Sequence, residues 1–482
     1  MPALSPTFKQ MELDVVGSTM FGRYQKINAS ETFNMIISDN WLVPFAGYER
    51  AGRDGIPEQF GTVGRGLFTS TIINKMFGIF DNKVFMFDTD LSYSVIGNLD
   101  TYNGDVFIAD GSTQQLGICD KKDIYMYGYG TNNPGFNIAT TTDFTPGYLD
   151  FQDSRFMTVD IDSNNWRLST EGNGLVWPNT GTQPYAAPFQ TTGDNPLVTI
   201  RVHGQGNLAM VMGSQVTEMW TDTGQQLFPY QKNTYINLDY GTVNASTVAT
   251  NETIVVWVGQ NRQSSPSILV SNGNEPHKIS TDGIDYRLSQ LQFPTSCYAF
   301  LFRQDGHLLY IVTFWQDNVT YAYDFETKKF FTLTDENGNY FPAKRVVRFN
   351  NKNYFISIND GYLYELSTQI GTYLGNDIPR IRTCSTLRIP GNGQFRVNNV
   401  TLVTEMGQYN SPTQPKALDM RFSKSGGVNF SNDYRVWLNE QALFQNQVKI
   451  WPRVICNEFT AQFRFYGDGR FVNGPATVSI EL

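Results

Sequence analysis

The sequence predicts an all-β protein: a β-propeller of six or seven irregular blades, joined to a β-sandwich-like platform domain built from the N- and C-terminal segments. Three observations predict it. The first is composition. Only 17% of residues are charged and 14% are aromatic, with 25 Tyr and 35 Phe among 42 Gly. Helices favour Ala, Leu, Glu and Lys, whereas strands favour aromatic and β-branched residues joined by Gly-rich turns. The second is rhythm. From Gly64 onward, apolar runs alternate with short polar turns in units of about 40–50 residues, the length of a four-stranded blade. The third is a change of texture after about residue 375, where longer strands alternate polar and apolar positions.

At 482 residues the chain is too long for one ordinary core, since domains run about 50–250 residues. Residues 1–60 hold short apolar pieces, Met35-Ile36-Ile37 and Trp41-Leu42-Val43, cut by Pro44, Gly47 and Gly55. They read as irregular β that joins the platform. Residues 61–374 carry the propeller. Hairpin turns are expected at Asp81-Asn82-Lys83, Asp110-Gly111, Asp120-Lys121, Gln152-Asp153 and Gly204 to Gly206, because short polar turns between apolar runs are hairpin signals. One helix is expected over Ser280 to Leu291. Ser280 or Thr281 would cap it, and Ile284, Leu288 and Leu291 fall at helical spacing. Residues 375–482 supply the sandwich, with strands in RIRTCSTLRI, VNNVTLVTEM, LDMRFSKSG, EFTAQFRFYG and ATVSIEL. These are expected to pair with the first 60 residues, because the termini of a domain often lie close together.

The net charge is −9. Proteins that grip nucleic acid usually carry a basic patch, so tight sequence-specific DNA binding is disfavoured. An acidic surface suits a conduit for DNA better than a clamp. No apolar run approaches the roughly 18 residues of a membrane-spanning helix, and no membrane partner is expected. Cys119, Cys297, Cys384 and Cys456 form no CxxC pair and read as buried, reduced thiols.

Chemistry-bearing motifs are sparse. There is no GxSxG, HExxH or GxxxxGK[ST], and His203, His277 and His307 are isolated in sequence. Gly204 to Ala209 matches a dinucleotide fingerprint in letters. A strand rather than a helix follows, so no helix N-terminus is offered to a phosphate and the stretch reads as a turn. Asp160, Asp162, Asn164 and Glu171 fall at positions 1, 3, 5 and 12 of a calcium loop, with Asn165 where Gly is expected. Their flanks are β rather than helical, which favours a polar inter-strand loop. Glu218, Asp222 and Asp324 are carboxylates that a glycosidase would need in one cleft. Ser423 to Phe430 is a degenerate Asp-box, a hairpin-shaping motif. No catalytic residue, no cofactor and no metal is assigned.

The stretch Gly213 to Gly241, GSQVTEMWTDTGQQLFPYQKNTYINLDYG, stands out near the centre of the chain. It runs Gly213-Ser214, then Val216 to Glu218, a turn with Gly224, and a loop with Pro229. In this it resembles the short-tailed phage tail-hub or nozzle proteins, also called packaged-DNA stabilisation proteins. The similarity continues through Trp257-Val258-Gly259, Lys278 to Thr281, Gly306-His307 before Leu309 to Val312, and Thr320 to Asp324.

The resemblance implies a non-enzymatic virion protein with a propeller body. It implies a homo-oligomeric ring, a hexamer, below the portal and the head–tail adaptor ring. Such a ring extends the DNA channel, retains packaged DNA through transient non-specific contact with the duplex, and anchors tail fibres, spikes or a needle. Its place is the virion tail, after assembly in the host bacterial cytoplasm. Two other readings stay open: a sialidase-like, glycan-processing propeller enzyme, and a glycan-binding adhesin. The loop Gln225, Gln226, Leu227, Phe228, Pro229, Tyr230, Gln231, Lys232 and Asn233 is too long for a tight turn, and is expected to face a neighbouring subunit or the lumen.

Overall fold

The computed structural model describes residues 8–22, 30–130, 134–141, 143–178, 185–191, 193–202, 204–205, 207–225, 228–405, 417–438, 447–467 and 472–482. The regular texture that begins at Gly64 folds into four-stranded antiparallel sheets in chain order. The first four blades are separate sheets whose strands cover residues 64–98, 107–138, 150–188 and 196–238. The fifth belongs to a five-stranded sheet, because its inner edge is split between Gly241–Thr242 and Ala249–Thr250. The sixth spans Cys297–Gln304 to Lys329–Thr332. The seventh has only three strands of its own, Ala343–Phe349, Lys352–Ser357 and Gly361–Ser367; its fourth is Gly47–Arg50, paired antiparallel to Gly361–Ser367. Among the described residues, seven blades therefore close the ring.

The ring closes between the seventh and first blades. Gly64 N–H donates to Asp360 C=O at 3.1 Å, and Leu67, Met76, Phe80 and Phe85 share one core with Phe349, Tyr354 and Ile356. Gly47–Arg50 lies in the terminal segment that the sequence reading gives to the platform. It serves the last blade instead, because Tyr48 is apolar enough to enter that blade's core. Its ring stacks on Tyr373 at 4.4 Å and meets Phe341, Phe355 and Tyr364 edge-on.

The rest of both termini builds two sheets. In one, Val472–Glu481 lies between Phe395–Glu405 and Phe8–Leu13, and also meets Trp41–Pro44. In the other, Glu31–Phe33 pairs with Arg380–Thr383, followed by Glu458–Tyr466 and Ala417–Ser423. This second sheet is continuous with the sixth blade through a single parallel pair, Phe33 with Thr332. One hydrophobic core runs from the terminal sheets into the sixth and seventh blades, from Val478 and Phe463 to Phe302 and Leu366. Arg382 is fully buried in it and ties down the N-terminal segment. It donates to the Asp14 and Ser18 carbonyls and to the Ser30 and Thr32 hydroxyls.

The helix forms over Asp282–Ser289, with the Thr281 side chain capping Ile284 N–H. Two expected turns move. Gln152 ends a strand, paired with Arg155, and the chain turns at Asp153-Ser154. Asp110-Gly111 ends a strand and the chain turns at residues 112–114. The Asp110 carboxylate is held there by the Ser70 and Tyr129 hydroxyls, so it serves the interior rather than the turn.

Removing the Tyr48 ring should loosen the closing strand. Tyr48→Ala is expected to cost about 3–5 kcal/mol, as large aromatic truncations in cores do. It should also open residues 343–367 to proteolysis. Tyr235→Ala, at a 98% exposed position, should cost within about 0.5 kcal/mol. Thermal unfolding and limited proteolysis of the two variants measure the contrast.

Candidate functional site: the fourth blade and the axial cavity

Gly213 to Gly241 forms the outer half of the fourth blade. It is shaped by one carboxylate from outside the stretch. Asp194 accepts from the Ser214 N–H and hydroxyl at 2.9 and 2.8 Å, and from the Gln215 and Val216 N–H groups at 2.8 and 3.1 Å. A Cβ on Gly213 would overlap that carboxylate, which explains the Gly-Ser pair. Thr217–Asp222 then forms the third strand of the blade and Tyr230–Leu238 pairs antiparallel to it as the fourth.

Glu218 is fully buried between these strands. Its carboxylate accepts from Lys232 Nζ at 2.7 Å, Thr191 Oγ1 at 2.7 Å, Gln190 N–H at 3.0 Å and Trp220 Nε1 at 3.2 Å. Four donors make a buried carboxylate tolerable. They also fasten the exit of the third blade to the fourth. The Val216 to Glu218 step is thus an inter-blade clasp rather than chemistry.

The expected loop is shorter than the sequence suggests. Tyr230 to Asn233 already belong to a strand, and Gln226 and Leu227 lie outside the described residues. The neck is pinned, since the Thr223 N–H and hydroxyl both donate to Pro229 C=O at 2.7 and 2.9 Å. Gln225 is exposed, whereas Phe228 packs on Trp166, with ring centroids 4.9 Å apart.

Sequence reasoning missed the feature beyond it. Glu218 opposes Asn237 and Trp220 opposes Lys232, so two steps on one strand face five on the other. The surplus bulges from the edge strand and carries Tyr235, 98% exposed. The run of polar residues around a lone aromatic, Asn233-Thr234-Tyr235, is the one sequence signal that marks it.

The calcium candidates are not brought together. Asp160 is buried against Arg167 at 3.1 Å and accepts from Ser163. Asp162 accepts from Thr145, Asn164 offers its carbonyl to Phe189 N–H, and Glu171 faces Arg155. The loop's carboxylates are spent on arginine and turn contacts. Glu218, Asp222 and Asp324 share no cleft. Asp324 is buried on His307 Nδ1 at 2.9 Å and on the Thr327 hydroxyl. His203 and Gly206 lie outside the described residues, while Leu208–Gly213 is the expected strand. Ser423 to Phe430 is a hairpin whose turn N–H groups bond to the Ser423 and Ser425 hydroxyls. All four cysteines are buried and free, and burial pushes the Cys119 and Cys384 thiols up to about 12.

On the propeller axis, strands of six blades line a cavity of about 290 Å³. That is room for about ten waters at roughly 30 Å³ each. Its lining includes Leu67, Val106, Leu149, Val248, Leu301 and Arg345. A wider bowl of about 510 Å³ is lined by neighbouring positions, among them Asp105 and Lys344. Burial alone would raise the Asp105 carboxyl. Lys344 and Lys121, each 3.3 Å away, outweigh it and hold Asp105 at about 2. Arg345 donates to the Ala299 and Ser246 carbonyls at 2.6 and 3.4 Å and so joins the seventh blade to the sixth and fifth.

A protein-family model described as bacteriophage P22 Gp10, beta-propeller, matches residues 30–371. No curated protein matches the chain. Among solved structures, selenomethionine-substituted virginiamycin B lyase from Staphylococcus aureus is similar at 9% identity and a TM-score of 0.45. The match covers 67% of this chain and 99% of that one. The Pan2 WD40 domain of Neurospora crassa is similar at 8% identity and a TM-score of 0.40, over 64% of this chain and 95% of that one.

Two outcomes follow from the buried charges. Lys232→Met strips Glu218 of its cation and should cost about 3 kcal/mol, with much of that recovered in the Glu218→Gln/Lys232→Met double variant; denaturant unfolding reads both. Asp105 has a depressed pKa in the folded state. Its stabilisation is therefore present above its ordinary value of 3.8 and fades as pH falls toward 2. Asp105→Asn should lower stability at neutral pH and flatten the melting temperature between pH 4 and pH 2.

Proposed function

Since the chain belongs to the bacteriophage P22 Gp10 β-propeller family, we propose that this phage structural protein forms the tail hub or nozzle ring. In this reading a hexamer sits below the portal and adaptor rings, extends the DNA channel, helps retain packaged DNA and anchors fibres, spikes or a needle. The observation that carries the reading is the family match over residues 30–371. Assembly takes place in the host bacterial cytoplasm and the product resides in the virion tail.

The cavity on the axis of one propeller supports a channel between copies. It is a space of about ten waters lined by apolar side chains and Arg345, and a duplex cannot enter it. The lumen of the proposed ring is therefore bounded by the outer surfaces of several protomers. A net charge of −9 suits such a wall. Each phosphate neutralised by Lys or Arg strengthens non-specific binding, and a wall that must release its cargo avoids that.

The propeller blades, residues 61–374 with the closing strand Gly47–Arg50, serve as the body. The sheets from the two chain ends serve as the platform. A closed ring needs two different complementary faces on each protomer. The bulged outer edge of the fourth blade is suited to be one of them, with Gln225 at its neck and Tyr235 at its crest. An exposed Tyr on a rigid edge supplies large contact area at low entropic cost.

Tyr235→Ala is expected to leave the isolated protein's unfolding unchanged. It should weaken ring formation at least about thirtyfold, the loss of an interface residue worth about 2 kcal/mol or more. Replacing Gln225 to Leu227 with a tight turn should act the same way. Light scattering on the purified protein with the adaptor ring added reads the ring. Normal assembly by both variants would remove this edge from the interface.

A further inference from the structure

The bowl of about 510 Å³ opens where the chain enters the inner strands of the ring. Asp105 lies just before the second blade, and Asn244 lies between the two pieces of the fifth blade's inner edge. Cys297 begins the sixth blade and Lys344 is the second residue of the seventh. Turns complete the wall. Trp315 follows the second strand of the sixth blade, and Asn359 lies between the second and third strands of the seventh. Pockets of roughly 300–1,000 Å³ with a few convergent polar groups are of the size that takes small molecules.

The floor carries an under-paired cation. The Lys344 side chain is only 7% exposed, and Asp105 at 3.3 Å is the one protein partner of its ammonium among the described residues. An ammonium has three donors, and a buried charge with incomplete pairing is costly. Asp105 is itself shared, because Lys121 Nζ lies 3.3 Å from its other oxygen. Two ammonium groups thus divide one carboxylate, which leaves one positive charge in excess. The wider surroundings act the same way. Burial draws Lys344 below its ordinary value of 10.5, Asp105 opposes the shift, and the charges of Arg345 and Arg65 add to it.

The rim adds a flat apolar surface and open hydrogen-bonding groups. Trp315 is 37% exposed, and its backbone N–H is held by the Ser296 carbonyl at 3.2 Å. Asn359 is exposed. Its Oδ1 accepts from the Tyr340 hydroxyl at 2.6 Å, while its amide NH2 has no protein partner among the described residues. Thr295 is a further exposed polar residue of the lining. A ligand that answers floor and rim together carries one negative charge, a ring with an apolar face, and hydroxyl groups. Asp105 beside the ammonium repels a second negative charge. A carboxylate therefore fits better than a phosphate monoester, whose charge is about −1.5 to −2.

We propose that the bowl binds an acidic sugar of the uronic acid class, with its carboxylate on the Lys344 ammonium, its ring against Trp315 and a hydroxyl on the Asn359 amide. The carboxylate supplies the missing partner of a buried cation, as a charge-assisted hydrogen bond. The indole supplies a broad apolar face with a polar edge. The site is independent of the assembly reading, because it lies within one protomer.

Isothermal titration calorimetry on the full-length protein tests it, with D-glucuronate as the ligand and D-glucose, benzoate and inorganic phosphate as comparisons. The expected result is saturable binding of glucuronate at millimolar concentration, at least about tenfold tighter than that of any of the three. Lys344→Met and Trp315→Ala should each weaken it at least about tenfold. Trp451→Ala, at a 50% exposed position outside the propeller, should leave it unchanged. Melting curves show that the variants fold, and the exposed Trp315 keeps the test valid if the loss of Lys344 unfolds the protein. The proposal is overturned by wild-type protein that gives no saturable heat with glucuronate, or by Trp315→Ala that binds it as tightly as wild type. Glucose binding as tightly as glucuronate would remove the carboxylate from the account. Benzoate doing so would remove the hydroxyls, and phosphate doing so would leave a simple anion site; each of these results also overturns it.

Discussion

The hydrogen bonds between Gly47–Arg50 and Gly361–Ser367 are the constraint on which the molecule depends. A propeller is stable only when its last blade meets its first, and here the last blade is incomplete without a strand from the opposite end of the chain. The N-terminal segment before it also fixes the terminal sheets. Asn34, with a positive φ, bonds through its side chain to Thr334 and to the Pro379 carbonyl. It therefore stands where the N-terminal segment, the sixth blade and the C-terminal sheet meet. One core passes through that junction, so force applied to the terminal sheets reaches the blades through packed side chains and not through a flexible linker.

The hairpins were legible in the sequence because they are local. Asp81-Asn82 and Asp153 announce turns by their own backbone preferences, and the strands follow from the apolar runs beside them. The helix was legible from its cap and spacing. Blade number was not, for two physical reasons. The fourth strand of the last blade lies some 300 residues away in sequence, and the inner edge of the fifth blade is broken into two short pieces. Neither leaves a periodic signal. The platform was half legible: strand alternation after residue 375 marked it, but Gly47–Arg50 carries nothing that says which sheet it joins.

The fourth blade shows the same division between local and distant causes. Its Gly-Ser pair, its Glu and its Pro-containing loop stand out as residues. Their meaning rests on their partners: Asp194 and Thr191 from before the stretch, for the turn and for Glu218, and Lys232 from the adjacent strand for Glu218. A spacing pattern alone pointed to a calcium loop at Asp160, yet Arg167 occupies that carboxylate. The family resemblance was readable because it rests on the order of many small local features.

The ring proposed above needs a rigid body, an acidic wall and edges that match their neighbours. Seven blades with interlocked buried charges supply the first, the net charge the second, and the bulged edge at Tyr235 a candidate for the third. The most direct measurement is electron cryo-microscopy of virions that carry this chain. The account predicts a closed six-fold ring of propellers on the tail axis, with the DNA path between protomers and the axial cavity of each propeller closed to it. A chain found as separate copies off the axis, or absent from the tail, would contradict it.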